Sequence, residues 1–399
     1  MVRPPSFRFA LPSPATEPAY RAFVDRLPYC SPDIERFAPD VAGRAFVDVW
    51  LRPGGDGAAV EARLAELYAA IARGAFRVPT EVWVDRRDRA APPSRPVLDD
   101  LIARRWLVPF DAGRVALQGP ALALYDYFDE QFEAIAAEFG AARAAFPTLI
   151  SIETLERAEY LQSFPHHITL APPLRGDSAA IDAFRRSVAG GGSRLASAAE
   201  PDHVLSPTVC IHCYEAVRGR RLAPGELVCA TAIGNCFRHE RDRLDCAARL
   251  WDFHMREIIF IGDRDRVARA RADSVDRVTR WLDELGMRYW IETATDPFFI
   301  DRFAPQAYFQ LANKTKFELL VDDPGGDRPL ALGSFNVHHD FFGSAFGLSL
   351  AGGEPADTGC TAFGVERFVY AFATQHGLDP ARWPEPVCAF VASRNLSCL

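Results

Sequence analysis

The chain has 399 residues, of which 49% are hydrophobic, 12% aromatic and 25% charged, enough to bury a sizeable core in one large domain or two smaller ones. Its formal net charge of -8 offers no general basic field for long nucleic acid or an anionic membrane. The opening MVRPPSFRFALPSPATEP lacks a basic stretch followed by an apolar one, and no apolar run reaches the ~18 residues of a membrane span, so a cytoplasmic protein is expected.

Along the chain, AAVEARLAELYAAIARGAF predicts a helix ended by Gly74, followed by the strand-like VPTEVWVD. The charged, proline-rich RRDRAAPPSRP at 86–96 reads as a linker, dividing an N-terminal region over 1–95, which carries no nameable motif, from a domain over 96–399. GPALALYDYFDEQFEAIAAEFG predicts a helix with Pro120 near its start and Gly140 at its end. Its apolar stripe of Leu124, Phe128, Phe132, Ile135 and Phe139 should pack on a sheet or another subunit. Strands are predicted at ARAAFPTLI, ELVCATAIGNCF, FHMREIIFIG, GMRYWIET and RPLALGSFNV, with helices at RVARARADSVDRVTRWLDELG and, last, GVERFVYAFATQHG. Strands mostly follow strands, which predicts an α+β fold with an antiparallel sheet flanked by helices, preceded by a small α/β region.

Alternation in FHMREIIFIG places Phe253, Met255, Glu257, Ile259 and Ile261 on one face of a strand. A carboxylate in such company needs a cation. In CFRHE the same alternation puts Arg238 and Glu240 on one face of a strand, and after a polar loop Phe253 and Glu257 share one face of the returning strand, a hairpin that could cradle a nucleotide. An arginine suits a phosphate, a ring suits a base, and a carboxylate accepts from an exocyclic amine. The alternative for this hairpin is a solvated one with ordinary ion pairs.

The nine cysteines are expected to be reduced thiols, some of them metal ligands. Cys210 and Cys213 in CIHC could form half of a structural zinc site or a redox pair, although no second Cys-x-x-Cys follows. His338, His339 and Asp340 offer a second metal set, against the commoner role of histidine as a packing residue; His166 and His167 read as structural.

Three signals, taken in order, resemble a class II aminoacyl-tRNA synthetase core of the seryl type. The helix from Pro120 followed by Phe146-Pro147 looks like motif 1, FRHE through FHMREIIFIG like motif 2, and GCTAFGVERFVYAF like motif 3. FPTLISIETLERAEYLQSFPHH, LSPTVCIHCYEAVRGR, SFNVHHDFFG and GCTAFGVERF narrow the resemblance to the truncated seryl-synthetase-like amino acid:[carrier protein] ligases, over roughly residues 105–385.

That resemblance implies ATP, zinc and magnesium as cofactors. It implies that Arg238 holds the α-phosphate, Glu240 meets the adenine amino group, Phe253 stacks on adenine and Arg367 meets the γ-phosphate. Zinc would be held by Cys210, Glu257 and Cys360, with a position open to the substrate's amino group. Ser334 and Asn336 are further implied site residues, and Lys314 in NKTKFELL matches the family's lysine-containing run. The glutamate expected to help hold magnesium is replaced near Ala331, so magnesium is expected to be held differently.

The implied substrates are a small amino acid such as glycine or alanine and a phosphopantetheinylated carrier protein, and the motif 1 element implies a homodimer. A tRNA acceptor is not expected, because the first ninety residues are too short and proline-punctuated for the long helical arm that a seryl enzyme needs. A true seryl-like synthetase and a non-catalytic synthetase-derived binding protein are the alternatives. RGRR at 218–221 and DRDRVARARAD at 263–273 are candidate carrier-docking patches, against a solvated loop and helix face.

Overall fold

A computed structural model describes residues 4–12, 15–73, 80–89, 94–240, 244–245, 247–296, 309–326 and 328–399. The N-terminal unit runs β1 (Phe7–Ala10), α1 (Glu17–Cys30), β2 (Ile34–Pro39), β3 (Phe46–Leu51) and α2 (Gly57–Arg73). Its antiparallel sheet has the order β1-β3-β2, and Phe9, Val47 and Val49 pack against Phe23 and Leu27 of α1 and Val60 and Leu64 of α2. Helix α1 was hidden in the sequence by its prolines. One falls in the first turn, where the missing N–H would have no partner anyway, and Pro28 falls in the last.

The remaining elements begin with β4 (Val82–Asp85), α3 (Leu98–Ala103), β5 (Leu107–Asp111), β6 (Arg114–Leu117), α4 (Gly119–Glu138) and β7 (Ala142–Arg143). An inserted region follows, with β8 (Leu149–Ser151), α5 (Ile152–Arg157), α6 (Tyr160–Ser163), α7 (Ser178–Ala189), β9 (His203–Leu205) and α8 (Cys210–Ala216). Then come β10 (Val228–Phe237), β11 (Asp252–Gly262), α9 (Arg264–Glu284), β12 (Trp290–Thr293), β13 (Lys316–Val321) and β14 (Leu330–His339). The chain continues through α10 (Phe341–Phe346), β15 (Asp357–Gly364), α11 (Val365–His376) and α12 (Glu385–Ala392). Helix α12 follows α11, the last helix expected from the sequence.

The large sheet has the order β4-β12-β13-β14-β15-β11-β10-β7, antiparallel throughout except where β10 meets the two-residue β7. The expected α+β class with an antiparallel sheet is therefore the observed one. The division expected at 95/96 is not where the sheets divide: β4 precedes the proline-rich stretch, yet it pairs with β12 as an edge of the large sheet. Trp83 of that strand packs on Phe317 of β13, with ring centroids 4.7 Å apart.

Period-two alternation gives the large sheet two faces with different tasks. One presents Arg256, Ile258, Phe260, Thr361 and Phe363 to helices α4, α9 and α11. There Phe132 stacks on Phe363 with ring centroids 4.2 Å apart, Phe128 and Phe132 meet Trp281 and Phe368, and Ser274 bonds Thr361 at 2.8 Å. Arg256 is buried and bonds Asp129 of α4 at 2.6 and 2.9 Å and Glu133 at 3.1 Å. Removing one member of such a buried network typically costs about 3–5 kcal/mol, because the partners are left charged and unpaired.

The stripe Leu124, Phe128, Phe132 and Ile135 is buried within this core. It packs on the chain's own sheet and helices, so it is not a surface offered to a second subunit. Phe110 of β5, Leu122 at the start of α4 and Leu149 of β8 are exposed, and β7 is an edge of the large sheet.

Candidate active site

The opposite face of the sheet carries the chemistry. Glu257 of β11 lies opposite Ala362 of β15, Cys360 lies opposite Asn336 of β14, Ser334 lies opposite both Ala362 and Glu318 of β13, and Asn336 is opposite Lys316. Alternation thus aligns Phe253, Glu257, Cys360, Ser334, Asn336, Lys316 and Glu318 on one surface. Gly359 keeps two of these strands close, since a Cβ there would stand 2.7 Å from the Asn336 carbonyl oxygen.

Helix α8 brings Cys210 over this surface. Cys210, Glu257 and Cys360 are buried, and their ligand atoms all lie within 4.8 Å of one another, which makes them the one group of its kind among the described residues. Glu257 Oε1 accepts from the Thr208 hydroxyl at 2.9 Å and from the Val209 N–H at 3.1 Å. Its Oε2 is buried and without a hydrogen-bond partner. A buried carboxylate oxygen facing two thiols is costly unless a cation completes it, and two thiolates with one carboxylate suit zinc while leaving a fourth position open.

A hydrogen bond with Cys210, then burial and the nearby Glu257 charge, push the Cys360 thiol well above its ordinary range. A cation would release that proton. Asn336 Nδ2 stands 3.4 Å from Cys360 Sγ and donates to the Ser334 hydroxyl at 2.9 Å.

Cys213 lies outside this group, in the apolar cluster with Ile211 and Tyr214, and burial pushes its thiol up to about 12. The CIHC pair therefore contributes one residue to the corner and one to the core. His338 Nδ1 meets the Thr358 hydroxyl at 3.3 Å, with the ring against Phe342, while His339 Nδ1 lies 3.5 Å from Asp357. These histidines and Asp340 form no second metal group among the described residues.

Beyond β10, Arg238 and Glu240 leave the strand. Regular pairing stops at Phe237, the Arg238 N–H still donates to Trp251 O at 3.0 Å, and the Glu240 N–H turns back to Arg238 O at 3.0 Å. The expectation that both extend the strand is corrected here by that local turn. Arg238 Nε donates to Pro207 O at 3.0 Å, and its guanidinium carbon is 5.7 Å from the centre of the Phe253 ring. Glu240 accepts from Arg249 at 2.9 Å. Burial alone would raise its carboxyl, but Arg249 and Arg367 hold it down to about 2.

Arg367, in the first turn of α11, donates to Ala248 O at 2.8 Å and to Ala331 O at 3.0 Å. Burial, with Arg249 and Arg238 nearby, lowers its guanidinium from the ordinary value. An anion drawn between these arginines would relieve that crowding.

Lys314 does not join the face. It is half-exposed, outside the strand, and paired with Glu81 at 2.7 Å. The lysine of that run that lies on the face is the part-buried Lys316, ion-paired with Asp296 and, at 3.2 Å, with Glu318. Sequence reasoning missed Arg249, Asp296, Lys316 and Glu318. The alternation of Lys316 and Glu318 was visible, but their register against Ser334 and Asn336 was not. The arginine patches are largely committed: Arg220 pairs with Glu226, Arg221 reaches Ala351 O, Arg264 pairs with Asp357 and Arg266 with Asp263.

A family model described as the tRNA synthetase class II core domain (G, H, P, S and T) matches residues 195–376. Two proteins of Bradyrhizobium diazoefficiens, named amino acid--[acyl-carrier-protein] ligase 2 and 1, are each 35% identical to the chain. The matches span 306 and 269 residues, which are 74% and 66% of this chain and 88% and 82% of those proteins. The type-2 serine--tRNA ligase of Methanopyrus kandleri is 28% identical over 73% of this chain and 59% of its own length. Among solved structures, M. kandleri SerRS in complex with A. aeolicus tRNASec matches with a TM-score of 0.71 at 22% identity, over 98% of this chain and 78% of that one, a likeness of fold.

Proposed function

The chain belongs to the amino acid--[acyl-carrier-protein] ligase family, with the class II synthetase fold, and we propose that it activates a small amino acid with ATP and passes it to the phosphopantetheine thiol of a carrier protein. The observation that supports this reading is the orphaned Glu257 oxygen between Cys210 and Cys360, on the face that also carries Phe253 and beside the group Arg238, Arg249 and Arg367. Cys210, Glu257 and Cys360 would hold a zinc ion, which when bound supplies an electrophilic position for a free amine.

Arg238 would hold the α-phosphate and Arg367 the γ-phosphate. Phe253 would stack on adenine, with Glu240 accepting from its amino group once Arg249 gives way. The amino acid carboxylate then attacks the α-phosphorus, the bond to the bridging oxygen breaks, and pyrophosphate leaves as an aminoacyl-adenylate forms. The arginines spread the developing charge. Glu318, beside Ser334 on the same face, is the carboxylate that could serve magnesium in place of the one missing at Ala331. In the second step the carrier's thiol sulfur attacks the acyl carbon, its proton is lost, and AMP leaves.

No helix among the described residues is long and apolar enough to cross a membrane. A homodimer would use the exposed Phe110, Leu122, Leu149 and the β7 edge rather than the buried α4 stripe.

Exchange of radiolabelled pyrophosphate into ATP, measured with each of the twenty amino acids, tests the first step. Exchange is expected with a small amino acid such as glycine or alanine and not with large side chains. Its absence with all twenty would remove the ligase reading and leave the non-catalytic alternative.

A further inference from the structure

Among the described residues, the N-terminal unit meets the surroundings of the candidate site through helix α1. Tyr29, near the end of α1, packs edge-on against His166, with ring centroids 5.1 Å apart. His166 and His167 belong to the single turn Pro165–His167, and their rings lie 4.2 Å from each other. His167 is buried, stacked on Phe164, with Nδ1 3.2 Å from the Tyr160 hydroxyl. Its carbonyl oxygen accepts the N–H of His239 at 3.3 Å. His239 is the residue between Arg238 and Glu240, so one turn of chain separates helix α1 from both.

The electrostatics follow the same path. His166 is lowered to about 4, by burial first, with Glu240 opposing and Arg26 of α1 and Arg238 adding to the shift. The imidazole is therefore neutral at ordinary pH, and its contact with Tyr29 is one of packing rather than charge. On another side of the unit, Arg328 ahead of β14 acts on Tyr20 of α1.

We propose that Tyr29 is a positioning residue of the nucleotide site: α1 braces the Pro165–His167 turn, and that turn fixes the His239 backbone and hence the directions of Arg238 and Glu240. The inference rests on the reading of Arg238 and Glu240 as ATP-binding residues. It gives the N-terminal unit, which carries no motif of its own, a part in catalysis through geometry.

An edge-to-face ring pair of this kind is lost with the ring and kept without the hydroxyl, so Tyr29→Ala and Tyr29→Phe separate the two contributions. ATP binding to the full-length protein by calorimetry, and KM values from pyrophosphate exchange, should show Tyr29→Ala weakening ATP about 3- to 10-fold. Amino acid KM and zinc content should not change, and Tyr29→Phe, which keeps the ring pair, should retain more ATP affinity than Tyr29→Ala. Val49→Ala, in the core of the N-terminal unit away from the turn, controls for stability; it should lower the unfolding midpoint without moving ATP affinity.

An unchanged ATP affinity in Tyr29→Ala would overturn the proposal while leaving the ATP site intact. An equal loss in Val49→Ala would also overturn it, making the effect one of general stability. Failure of the parent protein itself to bind ATP would overturn the site reading and the proposal together.

Discussion

Arg238→Ala is expected to slow adenylate formation by about 10²-fold or more, and Arg367→Ala by a similar factor. On the proposed reading both guanidiniums lie where the negative charge of a reacting polyphosphate would develop, and among the described residues neither is in a direct ion pair: Arg238 donates to Pro207 O, and Arg367 to Ala248 O and Ala331 O. Their carbonyl partners position them without cancelling their charge. The two substitutions should also differ in kind. Arg367 sits in the crowd of Arg249 and Arg238, so its loss leaves two cations near the phosphates. Loss of Arg238 removes the cation that also covers the Phe253 ring and should disturb adenine placement as well. Pyrophosphate exchange with unaltered far-ultraviolet circular dichroism reads both effects, and a variant that retains the parent's rate would take its residue out of the mechanism.

The parent protein is expected to hold about one zinc per chain, and Cys360→Ser to lose it. Loss of a ligand should cost more than the roughly 10–100-fold that disturbed outer-shell contacts cost, so activation of the amino acid should fall by at least about 10²-fold. ATP binding should survive, since Arg238, Phe253 and Arg367 are untouched. The sharper comparison is with Cys213→Ser. Cys213 lies outside the Cys210, Glu257 and Cys360 group, so its variant should keep the metal. Elemental analysis of the two variants decides between the corner and the CIHC pair; retention of zinc in Cys360→Ser together with its loss in Cys213→Ser would reverse the assignment.

What could be read from the sequence was what period-two alternation and local order encode. Glu257 among Phe253, Met255, Ile259 and Ile261 announced a buried carboxylate that needed a cation, and the structure buries it between two thiols. Strands β10, β11, β12 and β14 and helices α4, α9 and α11 were equally legible from their apolar periods, whereas β13 and β15, which complete the centre of the sheet, were not among the expected strands. Strand register was not legible. Lys316 and Glu318 reach the site only because β13 pairs with β14 in one particular alignment, and Lys314 lies two residues away on the outside. Arg249 and Asp296 sit in loops, where no period marks a side chain's direction. Helix α1 was masked by proline. The aromatic stripe of α4 was read correctly as apolar, but its burial inside the chain's own core depends on α9 and α11 folding over it, which no local pattern states.

The central claim, that a carrier thiol accepts the activated amino acid, is tested most directly by incubating the protein with ATP, the radiolabelled amino acid it activates, and three acceptors: a phosphopantetheinylated carrier protein, the same carrier without the prosthetic group, and bulk tRNA. Label is expected on the first alone, in a linkage cleaved by hydroxylamine as a thioester is. Label on tRNA at a comparable rate, or on the carrier lacking the thiol, would contradict it.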